Sequence, residues 1–265
     1  MLKHLPTYAI ISLALFVSAC GLMPEKTDET QDWSATKLYS EAKEELAGGG
    51  YDNAIKHFEK LESRYPFGTY AQQAQMEIAY AYYRQGDQAQ ALAAVERFIK
   101  LHPNHANADY MYYLRGLINF NDRLGFFDFI AHQDQTERDP KAARDAFDAF
   151  KQLAERFPNS KYTADAIARM KYLVNAMAQY EVHVANYYYR RGAYLAAANR
   201  AQIAVRDYRD APAVEEALYL MVRSYDALNL SELRDDANRV LKKNFPDSVF
   251  FKGGRAKETP WWKVW

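Results

Sequence analysis

The sequence predicts an all-α fold, a right-handed superhelical solenoid of about five helical pairs. Three observations support this prediction: a short amphipathic sequence pattern recurs along the chain, glycine or proline separates its occurrences, and apolar residues make up 49% of the sequence. Apolar content at this level is typical of a folded chain. A recurring unit that cannot bury its own apolar face must stack on its neighbours, so the fold grows in one direction.

The recurring sequence pattern is clearest between Gly49 and Pro66. Ala54, Phe58 and Leu61 fall on one face of a helix, and the residue before proline is driven out of helical geometry. The same spacing returns at Ala91, Val95, Phe98 and Pro103, and again at Ala146, Phe150, Leu153 and Pro158. Pro66 and Pro103 are 37 residues apart. This spacing is close to the tetratricopeptide period of about 34 residues, so we predict tetratricopeptide-like hairpins.

The N-terminal residues 1–19 predict a secretory signal, because a basic start precedes a short apolar run. That run is too short to cross a membrane. The stretch Val17-Ser18-Ala19-Cys20 ends in the single cysteine of the chain and resembles the lipobox of bacterial lipoproteins. The resemblance implies cleavage before Cys20, which becomes the acylated N-terminus, and Gly21 favours the outer membrane, with the protein on the periplasmic side. An uncleaved anchor, or a signal cut elsewhere, is the alternative.

Residues 20–32 are polar and predict a lipid-anchored tether to the first helix. The N-terminal part, residues 33–160, then holds repeats one to three, and the C-terminal part, residues 161–250, holds repeats four and five. The predicted helices are Thr36–Ala47, Tyr51–Arg64, Tyr70–Gln85, Gln88–Leu101, Ala108–Asn121, a helix carrying Ala146 to Leu153, Thr163–Arg190, Tyr194–Tyr208, Val214–Leu228 and Leu233–Asn244.

Two segments depart from the repeat. An insertion near residues 122–139 separates the helices of the third pair and carries Phe126, Phe127 and Phe129. These rings either belong to a binding face or fold back to cover the array. Residues 251–265 predict an irregular aromatic tail, with three of the four tryptophans between Trp261 and Trp265. The tail either packs on the last helical pair or acts as a docking or interfacial anchor.

The composition and the motif search count against several function classes, although a local basic patch remains possible. Lys and Arg number 34, and Asp and Glu also number 34, so no basic excess points to nucleic acid. No catalytic motif, phosphate loop or dinucleotide fingerprint is present, so we expect neither an enzyme nor a cofactor beyond the lipid on Cys20. His102 and His105 flank a turn, but the lack of an adjacent cysteine or acidic ligand counts against a metal site.

The combined features resemble one family. These features are the lipobox, the five pairs, the Gly-Phe-Phe insertion in repeat three, the segment Asn186–Gly192 and the pair Asn199-Arg200. Over residues 20 to about 250 the chain resembles the BamD family, tetratricopeptide lipoproteins of the β-barrel outer-membrane assembly machinery. The resemblance implies a non-enzymatic scaffold whose C-terminal half docks the periplasmic domains of BamA. It also implies contact with assembly lipoproteins such as BamC, and an N-terminal half that receives the C-terminal signals of unfolded outer-membrane proteins.

The repeat pattern nominates residues for these roles, because the first helix of each tetratricopeptide pair lines the concave face. The candidate substrate-signal groove consists of Tyr39, Met76, Tyr80, Tyr83, Arg84, Tyr110 and Tyr113, together with the insertion residues Phe126, Phe127 and Phe129. Aromatic rings beside an arginine suit an apolar segment that ends in a carboxylate, although each residue is alternatively inter-repeat core. Arg190, Arg191 and Arg200 are candidate partner contacts, or else serve only solubility.

Two rival functions remain at this stage. An envelope or peptidoglycan-associated interaction scaffold fits the same repeats, since a fold does not fix a function. A DNA-uptake component is the other, and the balanced charge counts against it.

Overall fold

The computed structural model of the chain describes residues 28–120 and 141–252. These described residues form ten α-helices and one short 3-10 helix, with no strand among them. We number the α-helices in chain order: α1 (Ala35–Ala47), α2 (Tyr51–Arg64), α3 (Thr69–Gln85), α4 (Gln88–Leu101), α5 (Ala108–Phe120), α6 (Lys141–Arg156), α7 (Thr163–Arg190), α8 (Tyr194–Asp207), α9 (Val214–Ala227) and α10 (Ser231–Asn244). The 3-10 helix is Val249–Lys252.

Each helix packs mainly against the helices next to it in the chain, so the ten helices form five successive hairpins. The first helices of neighbouring hairpins also touch, as α1 does with α3, α3 with α5, and α7 with α9. Packing between nearest neighbours is what a solenoid of stacked hairpins requires. The prediction of an all-α solenoid of five tetratricopeptide-like pairs is therefore confirmed.

The recurring sequence pattern gives the second helix of several hairpins the same C-terminal end. In α2 the side chains of Ala54, Phe58 and Leu61 are fully buried, and the N–H of Tyr65 donates to the carbonyl of Leu61 at 2.8 Å. The same bond, also at 2.8 Å, joins His102 to Phe98, Phe157 to Leu153 and Phe245 to Leu241. The proline that follows each of these cap residues prevents a further helical turn.

The last hairpin keeps this ending but lacks the apolar face. Counted back from Pro246, the positions of Leu61 and Phe58 correspond in α10 to Leu241 and Asn238. Only Ala237 and Leu241 of α10 are buried. A terminal repeat with a polar outer side is the expected cap of a solenoid. This explains why the register of the fifth repeat departs from the others.

Left-handed residues make the turns inside the hairpins. Gly86 ends α3 with φ of 90°, and its N–H donates to the carbonyl of Tyr82 at 3.0 Å. In the last hairpin Asn229 has φ of 58°. Asparagine is one of the few residues besides glycine that accepts this conformation, so the turn persists without a glycine.

Gly116 in α5 allows α6 to approach closely. A Cβ built at this position would lie 2.3 Å from Cε1 of Phe150, whose side chain is fully buried. The small residue is therefore a requirement of packing between the two helices of the third hairpin.

The 28-residue helix α7 has the bounds that the sequence predicts and joins two parts of the core. Its first half packs with Phe150 of α6, through residues such as Ala166 and Leu173. Its second half packs with α8 and α9, where Val182 and Ala185 meet a row of buried alanines. The hydrophobic contacts therefore continue along α7 from the third hairpin to the fifth.

The described part of the expected tether, residues 28–32, packs against α2 and is described further below. Cys20, the insertion near 122–139 and the tryptophans of 261–265 lie outside the described residues. No helix in the described part of the chain has both the length and the apolar character needed to cross a bilayer.

Candidate functional site

Most of the aromatic residues nominated from the sequence lie on the first helices of the first three hairpins. Tyr39 is on α1, Tyr80 and Tyr83 are on α3, and Tyr110 and Tyr113 are on α5. All five side chains are half-buried. We call this set the tyrosine surface. Half-burial leaves part of each ring accessible to a ligand, while the buried part packs against the neighbouring repeat.

At its N-terminal end the tyrosine surface carries one acidic and one basic side chain, Glu77 and Lys43. The ring of Tyr39 lies 5.4 Å from that of Tyr70, and the Tyr39 hydroxyl is 3.4 Å from Oε1 of Glu77. Lys43 Nζ donates to the same oxygen at 2.6 Å. Burial raises the pKa of Tyr39 to about 12, and the nearby negative charge of Glu77 adds to the shift.

The middle of the surface places a cation against aromatic rings. Arg84 donates to the hydroxyl of Tyr80 at 2.7 Å, and its guanidinium lies 5.6 Å from the centre of that ring. The rings of Tyr80 and Tyr83 are 6.4 Å apart. Burial raises the pKa of Tyr110, and the nearby side chains of Glu77 and Tyr80 on α3 add to the shift. The phenol therefore remains neutral at physiological pH.

The C-terminal end of the surface continues onto the fourth hairpin. The rings of Tyr113 and Tyr162 stack at 4.8 Å with an angle of 15° between planes. The Tyr113 hydroxyl donates to Asp165 at 2.7 Å, and Arg169 pairs with the same carboxylate at 2.6 Å. Burial and the bond to Asp165 raise the pKa of Tyr113 to about 12. Burial opposes ionisation of Asp165, but the bonds from Tyr113 and Arg169 outweigh it and lower the pKa of that carboxyl.

Several polar and aromatic residues of this surface were not nominated from the sequence. Tyr70, Tyr162, Glu77 and Asp165 contact nominated tyrosines. Lys43 and Arg169 in turn pair with the carboxylates of Glu77 and Asp165. A helical spacing signal existed for part of this set. Lys43 lies four residues after Tyr39, and Glu77 three residues before Tyr80, so each shares a helix face with a nominated ring.

Met76 differs from the other nominated residues, since only 8% of it is exposed. It packs with Ala79, Val95 and Met111 between the second and third hairpins. In the described structure its contacts are those of a core residue.

The nominated arginines of the C-terminal half have two different environments. Arg190 and Arg191 are exposed at the end of α7, and the guanidinium of Arg191 lies 5.2 Å from the ring of Tyr187. Arg200 on α8 instead pairs with Glu181 at 3.1 Å, and the Glu181 side chain is only 3% exposed. Arg200 therefore neutralises a buried carboxylate, which is a role inside the fold.

His102 and His105 pack around Phe98, with ring centres 5.0 and 5.3 Å from it. His102 Nε2 lies 2.9 Å from the amide oxygen of Gln75, and His105 Nδ1 accepts from the N–H of Asn107. These contacts account for one ring nitrogen of each histidine within the turn. The nominated Phe126, Phe127, Phe129 and Cys20 lie outside the described residues.

The stacked hairpins and the half-buried tyrosines along their first helices define a tetratricopeptide-like repeat protein. The family described as outer membrane lipoprotein, YfiO, matches residues 31–241. The chain is 49% identical to the outer membrane protein assembly factor BamD of Neisseria meningitidis serogroup B, over 96% of this chain and 97% of that one. It is 36% identical to the BamD of Vibrio cholerae, over 92% and 99%. The chain belongs to this BamD family of outer membrane lipoproteins.

Among solved structures, the crystal structure of MamA protein is similar at a TM-score of 0.39 and 16% identity. That similarity covers 79% of this chain and 88% of MamA.

Proposed function

We propose that the chain is a scaffold of the machinery that assembles β-barrel proteins in the outer membrane, and that it works by binding rather than by catalysis. The observation that carries the proposal is 49% identity over nearly the whole length of both chains to a protein called an outer membrane protein assembly factor. Identity of this extent, without a large gap at either end, favours a shared role for the whole molecule.

The proposed location is the periplasmic side of the outer membrane, through a lipid on Cys20. The lipobox-like stretch before Cys20 supports this location. Several acyl chains on one residue give stable attachment, where a single chain gives only marginal binding.

The tyrosine surface is the proposed receiver of an extended apolar segment from unfolded outer-membrane proteins. Half-buried rings offer apolar area at low entropic cost, because their bases are already held by the neighbouring repeat. Arg84 lies within the surface and adds a positive charge for a carboxylate or carbonyl of the segment. The insertion phenylalanines Phe126, Phe127 and Phe129 are proposed to extend the same surface.

The C-terminal half is the proposed docking site for the periplasmic domains of BamA, with other lipoproteins such as BamC on the remaining surface. Arg190 and Arg191 are exposed and suit carboxylates of a partner. Arg200 supports docking indirectly, since its pair with Glu181 stabilises the α7–α8 hairpin that presents the other two arginines.

The test is capture of the full chain from gently solubilised envelopes, followed by mass spectrometry of the proteins that accompany it. We expect a large β-barrel subunit with repeated periplasmic domains in near-equal amount. Recovery of wall-synthesis enzymes or peptidoglycan fragments without that subunit would instead support an envelope-associated scaffold. Exchange of Cys20 for alanine should release the chain from membranes washed with alkaline carbonate, which strips proteins held only by other proteins, and retention after that wash would contradict the lipid anchor.

A further inference from the structure

The turn between α2 and α3 is apolar and exposed. It consists of Tyr65, Pro66, Phe67 and Gly68, and every one of these residues is exposed. The Phe67 side chain is 92% exposed, so it contributes almost no packing to the fold. An aromatic ring that stabilises nothing within its own chain is available to a partner.

Equivalent turns in the same molecule show that the geometry does not require an aromatic residue. After the same helix ending, the proline is followed by Asn104, Asn159 or Asp247 in the second, third and fifth hairpins. Asparagine and aspartate are usual turn residues because they bond to nearby backbone. Phe67 therefore stands where the chain elsewhere uses a polar residue.

The N-terminal segment is attached to α2 close to this turn. The carboxylate of Asp28 accepts from Lys60 Nζ at 2.6 Å, from the Thr30 hydroxyl at 2.7 Å and from Arg64. Arg64, the last residue of α2, also donates to the carbonyl of Thr30. We call these contacts the N-terminal clasp.

A second set of contacts continues the clasp to the start of α1. The hydroxyl of Tyr65 donates to the carbonyl of Trp33 at 3.0 Å. The Trp33 ring stacks on His57 of α2, with 5.7 Å between centroids. Residues 28–33 are therefore held along α2, and the chain enters the described structure next to the 65–68 turn.

Chain lengths limit how far the turn can lie from a lipid on Cys20. Cys20 and Asp28 are eight positions apart, and a fully extended chain of that length spans at most about 28 Å. Arg64 and Phe67 are three positions apart, which adds at most about 10 Å. The clasp thus limits the distance between the exposed aromatic turn and a bilayer in which Cys20 is anchored, and the turn can reach that bilayer.

We propose that the 65–68 turn is a second membrane contact, in which Phe67 enters the interfacial layer of the bilayer that holds the Cys20 lipid. The proposal rests on the lipid anchor of the proposed function. The acyl chains supply attachment, and Phe67 together with the clasp fixes which edge of the first hairpin faces the lipid. Aromatic rings favour this layer, where they leave water without entering the hydrocarbon fully.

The test places a photoreactive benzoyl-phenylalanine at position 67 of the full chain in cells. We expect irradiation to give adducts with phospholipid, identified by mass spectrometry. The matched control places the same residue at Leu195, which is 59% exposed at the start of α8 in the fourth hairpin. At least several-fold fewer lipid adducts are expected there.

A clasp variant tests the geometric part of the proposal. The triple variant Asp28→Ala, Thr30→Val and Arg64→Ala removes the side-chain bonds that hold residues 28–30 on α2. The free chain from Cys20 then lengthens from 8 to 13 Cα–Cα steps, up to Trp33, which stays attached through Tyr65 and His57. Local concentration at the end of a tether falls with about the −3/2 power of its length, so lipid adducts at position 67 should fall about two-fold or more. Asp32→Ala, in the same segment, should leave them unchanged, and both variants should keep the melting temperature.

Equal lipid adducts at positions 67 and 195 would overturn the proposal. So would adducts at 67 with polypeptides alone, which would make the turn a protein contact. Loss of the assembly partners in the capture experiment, with lipid adducts at 67 intact, would refute the assembly role and leave the membrane contact standing.

Discussion

At the scale of single residues, Gly116 is the position where the fold leaves least room. The Cβ of an alanine would lie 2.3 Å from the fully buried Phe150 ring. We expect Gly116→Ala to lower the free energy of unfolding by about 1–3 kcal/mol, because overpacking forces the ring or the helix to shift. Urea denaturation followed by circular dichroism measures this change.

Gly48→Ala is the matched control for that substitution. Gly48 has φ of −74°, and the nearest atom to an added Cβ lies at 3.5 Å, which is ordinary contact. The control should be neutral or slightly stabilising, since alanine restricts the unfolded chain. Equal losses of stability in both variants would show that Phe150 does not set the requirement at Gly116.

Arg200 is a residue whose substitution has a structural consequence before any effect on a partner. Arg200→Ala leaves the Glu181 carboxylate buried without its cation. Loss of one partner of a fully buried pair costs about 3–5 kcal/mol, and the 39% exposure of the Arg200 side chain lets water reduce this to about 1–3 kcal/mol. Thermal and urea unfolding of the variant would measure the loss.

The double variant Glu181→Gln with Arg200→Ala separates a structural role of Arg200 from a role in binding a partner. A neutral amide does not need the cation, so the double variant should be more stable than Arg200→Ala alone. Arg190→Ala, at the exposed end of α7, should leave stability nearly unchanged. If Arg200→Ala unfolds like the parent chain, the pair with Glu181 is not a stabilising contact, and a direct partner contact becomes the better reading.

At the scale of elements, the first helices carry the tyrosine surface, and its proposed role in binding can be tested on α3. The double variant Tyr80→Ala with Tyr83→Ala removes two half-buried rings. Only part of each ring packs against the core, and the rest is exposed. We expect about a ten-fold weaker affinity for a peptide from the C-terminus of an outer-membrane β-barrel protein, since about 1.4 kcal/mol corresponds to ten-fold. Fluorescence anisotropy of a labelled peptide is the measurement.

The control for the α3 variant is Tyr187→Ala, which removes a 47% exposed ring at the far end of α7. It should bind the peptide as the parent chain does. Equal affinity of all three proteins, with helical content intact, would exclude α3 from the binding surface.

At the scale of the whole molecule, the last hairpin protects the open end of the stack. Helices α9 and α10 bury Leu218, Leu220 and Leu241 against the alanines of α8 and the second half of α7. A chain ended at Arg209 would expose that face. Burial of a large apolar side chain is worth about 1.5–3 kcal/mol, so the loss is on the order of 5 kcal/mol. A melting temperature lower by about 10–20 °C and binding of a hydrophobic dye are expected.

The control for this truncation ends the chain at Lys252, so that all ten α-helices and the stack of Phe250 on Tyr219 remain. It should melt close to the parent chain. A chain ended at Arg209 that melts at the parent temperature would mean that the fifth hairpin is not needed as a cap.

Some of the candidate site could be read from the sequence because its residues follow the helical period. The tyrosines of α1, α3 and α5 were placed on first helices from the repeat register alone. The pair between Arg200 and Glu181 could not be read in this way, since the two residues are 19 positions apart on different helices. Burial of Met76 was equally hidden, because its neighbour Met111 comes from the next hairpin.

For residues 28–120 and 141–252, the sequence by itself determined the number of helices, most of their bounds and their pairing into hairpins. These features follow from local causes: apolar spacing along one helix, proline after the last turn, and a residue that accepts left-handed geometry between helices. The tertiary structure decided which half-buried rings share a surface, which charges are neutralised inside the fold, and that residues 28–33 are held on α2. These features depend on contacts between residues distant in the chain, and the phase of one helix against the next is set only when the whole stack is packed.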